Sequence, residues 1–215
     1  MKTEINLQTK LYILKDNLTE LINLYEKKKL SNKILLSGAK GIGKSTLVNH
    51  FINYIFSKEE EYPYDLKNMS IFTENRSFKL FQNNSHPNIY NIKILDEKKN
   101  IEINQIREMI SYANKSSFND KPRFVIINNV EKLNKNSLNA LLKIVEEPNE
   151  NLFFLLIHNH NEAIQKTLKS RCLIFKINIS FDQSLYIASK ILNINIYETL
   201  NHEIINYYLT PGEII

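Results

Sequence analysis

Cysteine is almost missing: Cys172 is the only one in 215 residues, so no disulfide framework holds this chain together. Long apolar runs are missing too. Nothing approaches the roughly 18 consecutive apolar residues of a membrane-spanning helix, and Met1-Lys-Thr-Glu-Ile-Asn-Leu-Gln8 lacks the apolar core of a secretory signal. The cytoplasm is therefore the expected compartment, with no membrane role. Acidic residues fall short of basic ones, leaving a net charge of +5 and a pI near 9.0. That balance favours encounters with nucleic acid or acidic partners without establishing them, because the charge is dispersed over Lys27-Lys28-Lys29, Lys98-Lys99 and single residues. With 43% hydrophobic residues the chain can build a real core, as one large domain or two smaller ones. Asparagine is abundant at 30 residues, in a background rich in Ile and Lys. Their codons are A/T-rich, so genome composition can exchange Asp for Asn, and no single Asn carries an argument alone.

Glycine is scarce, which makes its placement informative. Three of the four glycines, Gly38, Gly41 and Gly43, fall in the stretch Gly38-Ala39-Lys40-Gly41-Ile42-Gly43-Lys44-Ser45, followed by Thr46. This is a complete phosphate-binding loop. Small residues let successive N–H groups turn inward around a polyphosphate, Lys44 reaches its terminal phosphates, and the Ser45 hydroxyl can ligate Mg²⁺ when nucleotide is bound. Lys33-Ile-Leu-Leu-Ser37 before it is a short buried-strand pattern, and Leu47, Val48, Phe51, Ile52 and Ile55 follow at helical spacing. The helix N-terminus thus adds its dipole to the loop's amide donors.

Strand and helix patterns alternate along the rest of the chain. Leu11, Leu14, Leu18, Leu21, Ile22 and Tyr25 predict an amphipathic first helix. Residues 57–85 open with Lys58-Glu-Glu-Glu-Tyr-Pro63 and lack periodicity, so short helical pieces and loop are expected there, loosely held. Strands are predicted over 88–95, 123–128, 152–157 and 173–177, the third apolar on both faces. Helices are predicted with Ile103, Ile106, Ile110 and Ala113 on one face, and from about Asn136 until Pro148 ends the run. This is the pattern of an α/β fold with a mostly parallel sheet flanked by helices and its ligand at the carboxyl ends of the strands. From about 179 the pattern is helical, through Leu185, Ala188, Ile191 and Leu192 and then Leu200, Ile204, Ile205 and Tyr208. The expected division is a nucleotide-binding domain over 1–178 and the start of an incomplete helical lid over 179–215.

Four further stretches carry a family resemblance. Ser85-His-Pro-Asn88, Ile103-Asn-Gln-Ile-Arg-Glu108, Leu138-Asn-Ala-Leu-Leu-Lys-Ile-Val-Glu-Glu-Pro148 and Thr167-Leu-Lys-Ser-Arg-Cys172, together with the phosphate loop, resemble the bacterial clamp-loader subunits of the AAA+ ATPase class, in particular the delta-prime branch of DNA polymerase III. The Pro211-Gly212 pair resembles a family position in the helical lid. The resemblance implies a P-loop NTPase (AAA+) fold, partners that include the gamma/tau motor and delta subunits, the sliding clamp, and primer-template DNA reached through the complex. It also implies a collar domain that this sequence does not contain.

The departures from the family pattern matter as much. Where active motors end the strand in Asp-Glu, this chain has Ile126-Ile127-Asn128-Asn129. An asparagine keeps an oxygen but loses the charge, making a poor general base and a weaker partner for a hard cation. Glu131, two positions on, is read as a solvated loop residue pointing elsewhere. The four-cysteine zinc module that many relatives carry after the phosphate-loop helix has no counterpart in 57–85, so no zinc is expected there. His158 and Asn159, just after the apolar strand, occupy the family's sensor region and are the candidates for feeling a γ-phosphate. The resemblance gives Arg171 a role in trans, on a neighbouring subunit's ATP, where a fixed cation stabilises charge developing in the transition state. The alternative is a local ion pair. The expected function is a non-hydrolysing arm of the clamp loader; a catalytically active gamma/tau-like subunit or another AAA+ ATPase is the alternative.

Overall fold

Short runs of aliphatic and aromatic residues supply five strands: β1 (Lys33–Gly38), β2 (Ile89–Ile92), β3 (Arg123–Ile127), β4 (Leu152–Asn159) and β5 (Leu173–Lys176). All neighbours pair in parallel, in the order β2-β3-β4-β1-β5, with Leu35 of β1 opposite Leu156 of β4 and Ile127 of β3 beside the same residue. Parallel pairing demands a crossover between successive strands. Helices α2 (Lys44–Ser57), α3 (Arg76–Gln82), α4 (Ile103–Asn114), α5 (Lys135–Glu146) and α6 (Lys166–Lys169) lie in the crossovers, with α1 (Lys15–Glu26) before the first strand and α7 (Phe181–Leu192) after the last. The computed structural model describes residues 8–95, 98–115, 119–147, 149, 151–196 and 208–215.

The central strands are buried on both faces, so their residues alternate between two apolar layers. Ile34, Leu36, Phe124, Ile126, Phe153, Leu155 and Ile157 meet α1, α2 and the segment after α2. Leu35, Val125, Ile127, Leu152, Phe154 and Leu156 meet Ile106, Met109 and Ala113 of α4, Leu138, Leu141 and Val145 of α5, and Leu168 of α6. Polar caps fix where the helices begin. Asn134 accepts from the Ser137 amide at the start of α5, and Glu102 with Gln105 closes a capping box on α4. Buried Arg123 closes the other end of α4, donating to the carbonyls of Tyr112, Ala113 and Lys115.

Several sequence expectations shift. Strand β2 stops at Ile92 and not Leu95, whereas β4 runs on through His158 and Asn159, because His158 bonds Ser37 of β1 and the Asn159 amide finds the Glu131 carboxylate. Helix α1 starts at Lys15, although Leu11 and Leu14 ahead of it are still buried. Residues 57–85 are not loosely held. Tyr64, Met69, Ile71 and Phe78 bury into the main core, and the Leu11 and Ile71 amides donate to Met69 O and Thr9 O, stitching this segment to the N-terminal one. Helix α7 divides its apolar residues: Ile187 joins the main core, while Leu185 and Ala188 form a small cluster with Ile196, against which Ile214 and Ile215 pack. The expected helix around Leu200, Ile204 and Ile205, and Pro148 as the stop after α5, lie outside the described residues.

Candidate functional site

The turn between β1 and α2 needs its glycines for shape. Gly41 and Gly43 have φ of 83° and 92°, the left-handed region, and a Cβ on Gly38 would lie 2.4 Å from Ile177 O. Lys44 is buried and its Nζ donates to Gly38 O (2.8 Å) and Ala39 O (2.5 Å), so the ammonium is folded onto the loop's own carbonyls. Burial pushes its pKa down to about 8, and the Glu131 carboxylate opposes that shift. An incoming phosphate would have to replace those carbonyls as the partner of Lys44. Lys40 is exposed on the outer turn, and Ile42 and Thr46 face inward.

The ends of β3 and β4 converge beside this loop. Asn128 is fixed at both ends of its amide: Nδ2 donates to Asn91 Oδ1 (2.8 Å) and Ile92 O (3.1 Å), and Oδ1 accepts from Ser45 Oγ (3.3 Å). Asn129 then takes a left-handed conformation (φ 56°), which asparagine tolerates, and a 3₁₀ turn over Val130–Lys132 follows. That reversal brings Glu131 back toward the site. Its Oε2 accepts from the Asn159 amide (3.1 Å) and its Oε1 from Asn129 Nδ2 (3.3 Å), which overturns its reading as a solvated residue pointing elsewhere. Of the two sensor candidates, His158 has both ring nitrogens engaged, with Ser37 Oγ (3.1 Å) and Glu162 O (3.0 Å), and is buried. Asn159 lies across from Gly38 and sits directly beside the loop.

Two hollows adjoin the loop. A polar cleft of about 120 Å³ is lined by Ser45, Asn49, Asn91, Lys93 and Asn128. On the other side an apolar recess of about 40 Å³ lies among Tyr12, Leu14, Gly43, Ile187 and Pro211. Asn91, Lys93, Tyr12 and Ile187 carry no local motif and escape sequence reading; Pro211-Gly212 does not. The Gly212 amide donates to Gly41 O (3.1 Å), clasping the C-terminal turn Pro211–Ile214 to the phosphate loop backbone to backbone.

Arg171 stands elsewhere. It follows α6 and precedes β5, and its Nε (2.9 Å) and Nη2 (2.7 Å) both reach Glu146 Oε1 at the end of α5, while Nη1 donates to Thr167 O. Lys33, the first residue of β1, donates to Glu146 O. The strands are parallel, so this cluster marks the amino ends of the sheet, whereas the phosphate loop lies at the carboxyl ends. Six residues of β1 separate the two edges, about 17 Å at strand rise. Arg171 therefore does not reach its own chain's loop. Burial raises the neighbouring Cys172 thiol to about 11, consistent with a packing residue and not a reactive one.

An all-parallel sheet with a phosphate loop leading from β1 into α2, met by polar residues from the ends of β3 and β4, defines a P-loop NTPase fold. A family model described as "DNA polymerase III, delta subunit" matches residues 13–180, and the chain belongs to that family. It is 28% identical over 165 residues to DNA polymerase III subunit delta' of Buchnera aphidicola subsp. Schizaphis graminum, covering 76% of this chain and 48% of that protein. It is 27% identical over 158 residues to the gamma subunit from the same organism, covering 74% and 41%. The chain spans about half the length of the curated relatives it matches. A DNA polymerase III gamma subunit-related protein from Thermotoga maritima shares the fold, with a TM-score of 0.54 at 20% identity over 79% of this chain and 49% of that one. Among the described residues, no helix is long and apolar enough to cross a membrane.

Proposed function

We propose that this chain is a nucleotide-binding but non-hydrolysing arm of the DNA polymerase III clamp loader, of the delta-prime type. In that role it sits beside gamma/tau motor and delta subunits, helps place the sliding clamp on primer-template DNA in the cytoplasm, and lends Arg171 to a neighbour's ATP. The observation that carries the reading is the amide at Asn128. The phosphate loop is complete, yet the residue beside Ser45 at the end of β3 is a neutral amide whose NH₂ is spent on Asn91 and Ile92, so it cannot take a proton from water. The place of Arg171 at the edge away from its own loop supports action on a neighbour and not in cis.

The experiment is reconstitution of the full-length chain with motor, delta and clamp subunits. Arg171→Ala is expected to enter the complex normally, since the side chain's contacts are one exposed pair and one carbonyl. DNA-stimulated ATPase is then expected to fall, by part of the roughly 10³ to 10⁵ attributed to an arginine finger because other sites in the ring persist. Lysine is expected to rescue poorly, lacking the planar fork. Wild-type ATPase and loading in an assembled Arg171→Ala complex would reduce the residue to its Glu146 pair. A second reading, a catalytically active subunit, has one observation in its favour: Glu131 faces the site. Steady hydrolysis by the isolated chain, abolished by both Lys44→Ala and Glu131→Gln, would establish it instead.

A further inference from the structure

Nucleotide sites of this fold are usually organised around a magnesium ion, and the residues here fit that ion poorly. Mg²⁺ is a hard cation that gives up its water reluctantly and relies on carboxylates together with the substrate's phosphates. At the place where such a carboxylate would orient the ion stands Asn128, whose Oδ1 accepts a hydrogen bond from the Ser45 hydroxyl at 3.3 Å. The other end of the same amide faces two acceptors, Asn91 Oδ1 at 2.8 Å and Ile92 O at 3.1 Å. An aspartate here would set a second anionic oxygen against both of them. The site is thus wired for an amide, and Asn91 and Asn128 act as a matched pair. The acidic group acting on Lys44 is Glu131, whose carboxylate is tied to the Asn159 amide and to Asn129.

We propose that this site takes a nucleoside polyphosphate without a divalent cation, the Asn91–Asn128 pair holding Ser45 in the position that a metal-anchoring acid would otherwise fix. The proposal rests on the nucleotide-binding reading above and deepens it. Two effects act in the same direction. Loss of the negative charge at 128 removes the repulsion that a metal-free polyphosphate meets in a site built for Mg²⁺. The loop amides remain available as neutral donors, with Lys44 as the fixed cation, while the Ser45 hydroxyl proton stays on Asn128 and turns away from the phosphates.

Calorimetric titration of the full chain with ATP, once with excess magnesium and once with EDTA, tests this directly. Affinities in the two buffers are expected to agree within about threefold, since a bare polyphosphate meets no acid at 128. Asn128→Asp, checked to be folded by circular dichroism, is expected to weaken binding in EDTA by about tenfold, the scale of one unit charge several ångströms away at the protein surface. Wild-type binding that strengthens tenfold or more with magnesium would overturn the proposal while leaving nucleotide binding intact. Undiminished EDTA binding by a folded Asn128→Asp would overturn it too, because the charge argument would be wrong. Absence of binding in both buffers would overturn the nucleotide-binding reading and this inference with it.

Discussion

Gly212→Ala sets two rules against each other, and the structure decides between them. Gly212 lies in the helical turn Pro211–Ile214, where alanine is the better helix former by up to about 1 kcal/mol. Its φ is not left-handed, so the backbone accepts a side chain. Propensity alone therefore predicts stabilisation. A Cβ at this position, however, would come within 2.8 Å of Gly41 Cα and 3.2 Å of Gly41 O, and both are backbone atoms that cannot rotate aside. Gly41 is itself held at φ 83° by the loop, so relief requires the two segments to separate. Separation by about 0.6–0.8 Å, enough to restore ordinary contact, would lengthen the 3.1 Å bond from the Gly212 amide to Gly41 O beyond hydrogen-bonding range. Overpacking costs about 1–3 kcal/mol and the lost hydrogen bond about 0.5–1.5 kcal/mol. After a helix gain of about 1 kcal/mol, a net loss of about 0.5–3.5 kcal/mol remains, or a fall in melting temperature of about 1–14 °C for a domain of this size. Thermal and urea melts of the two proteins measure it. A Gly212→Ala protein as stable as wild type, or more so, would show that the clasp to the phosphate loop is not held in solution.

Acid should destabilise the fold through His50, fully buried between the Tyr64 hydroxyl and Gln8 O, with its pKa lowered by burial from 6.5 to about 4. The unfolded chain takes the proton first, so this contribution is complete above pH 6.5 and is lost as pH falls toward 4, on the order of 3 kcal/mol in all; urea midpoints across that range should show a steeper acid limb than in His50→Gln. Arg123→Met should cost about 2–4 kcal/mol in urea unfolding, because the carbonyls of Tyr112, Ala113 and Lys115 lose one shared donor. Amide exchange at Leu11 and Ile71 should be slow, both being buried and bonded across the segment 57–85; exchange at the rate of an exposed loop would count against the packing described. Asn128→Asp combined with Asn129→Glu should not restore ATP turnover, since Asn91 and Ile92 O still face residue 128; phosphate release abolished by adding Lys44→Ala would contradict this.

What could be read from the sequence was local in origin. The phosphate loop depends on glycine positions within eight residues, and the sheet on apolar runs such as Leu152 to Ile157, so both were legible. Glu131 was not, because its direction is set by the left-handed turn at Asn129 and an acceptor role toward Asn159, 28 residues away. The firm attachment of 57–85 was hidden for a similar reason: Tyr64, Met69, Ile71 and Phe78 show no period, and their partners lie in the N-terminal segment and α2. That both ring nitrogens of His158 are engaged was not legible either, because position along a motif carries no information about a side chain's partners.

The two-faced burial of β4 leaves its register undefined by hydrophobicity. In a sheet with one wet face, a slip of one residue exposes the core; here it would only trade Leu152, Phe154 and Leu156 for Phe153, Leu155 and Ile157, one oily triplet for another. Polar groups at the ends of the strand do the indexing. Asn32 exchanges bonds with Leu152 O (3.1 Å) and the Phe154 amide (2.7 Å), and at the far end His158 meets Ser37. A one-residue slip displaces the strand by about 3.3 Å, which would carry Asn159 away from Gly38 and strip Glu131 of its amide partner. Asn32, remote from any phosphate, thus helps keep the nucleotide site in alignment.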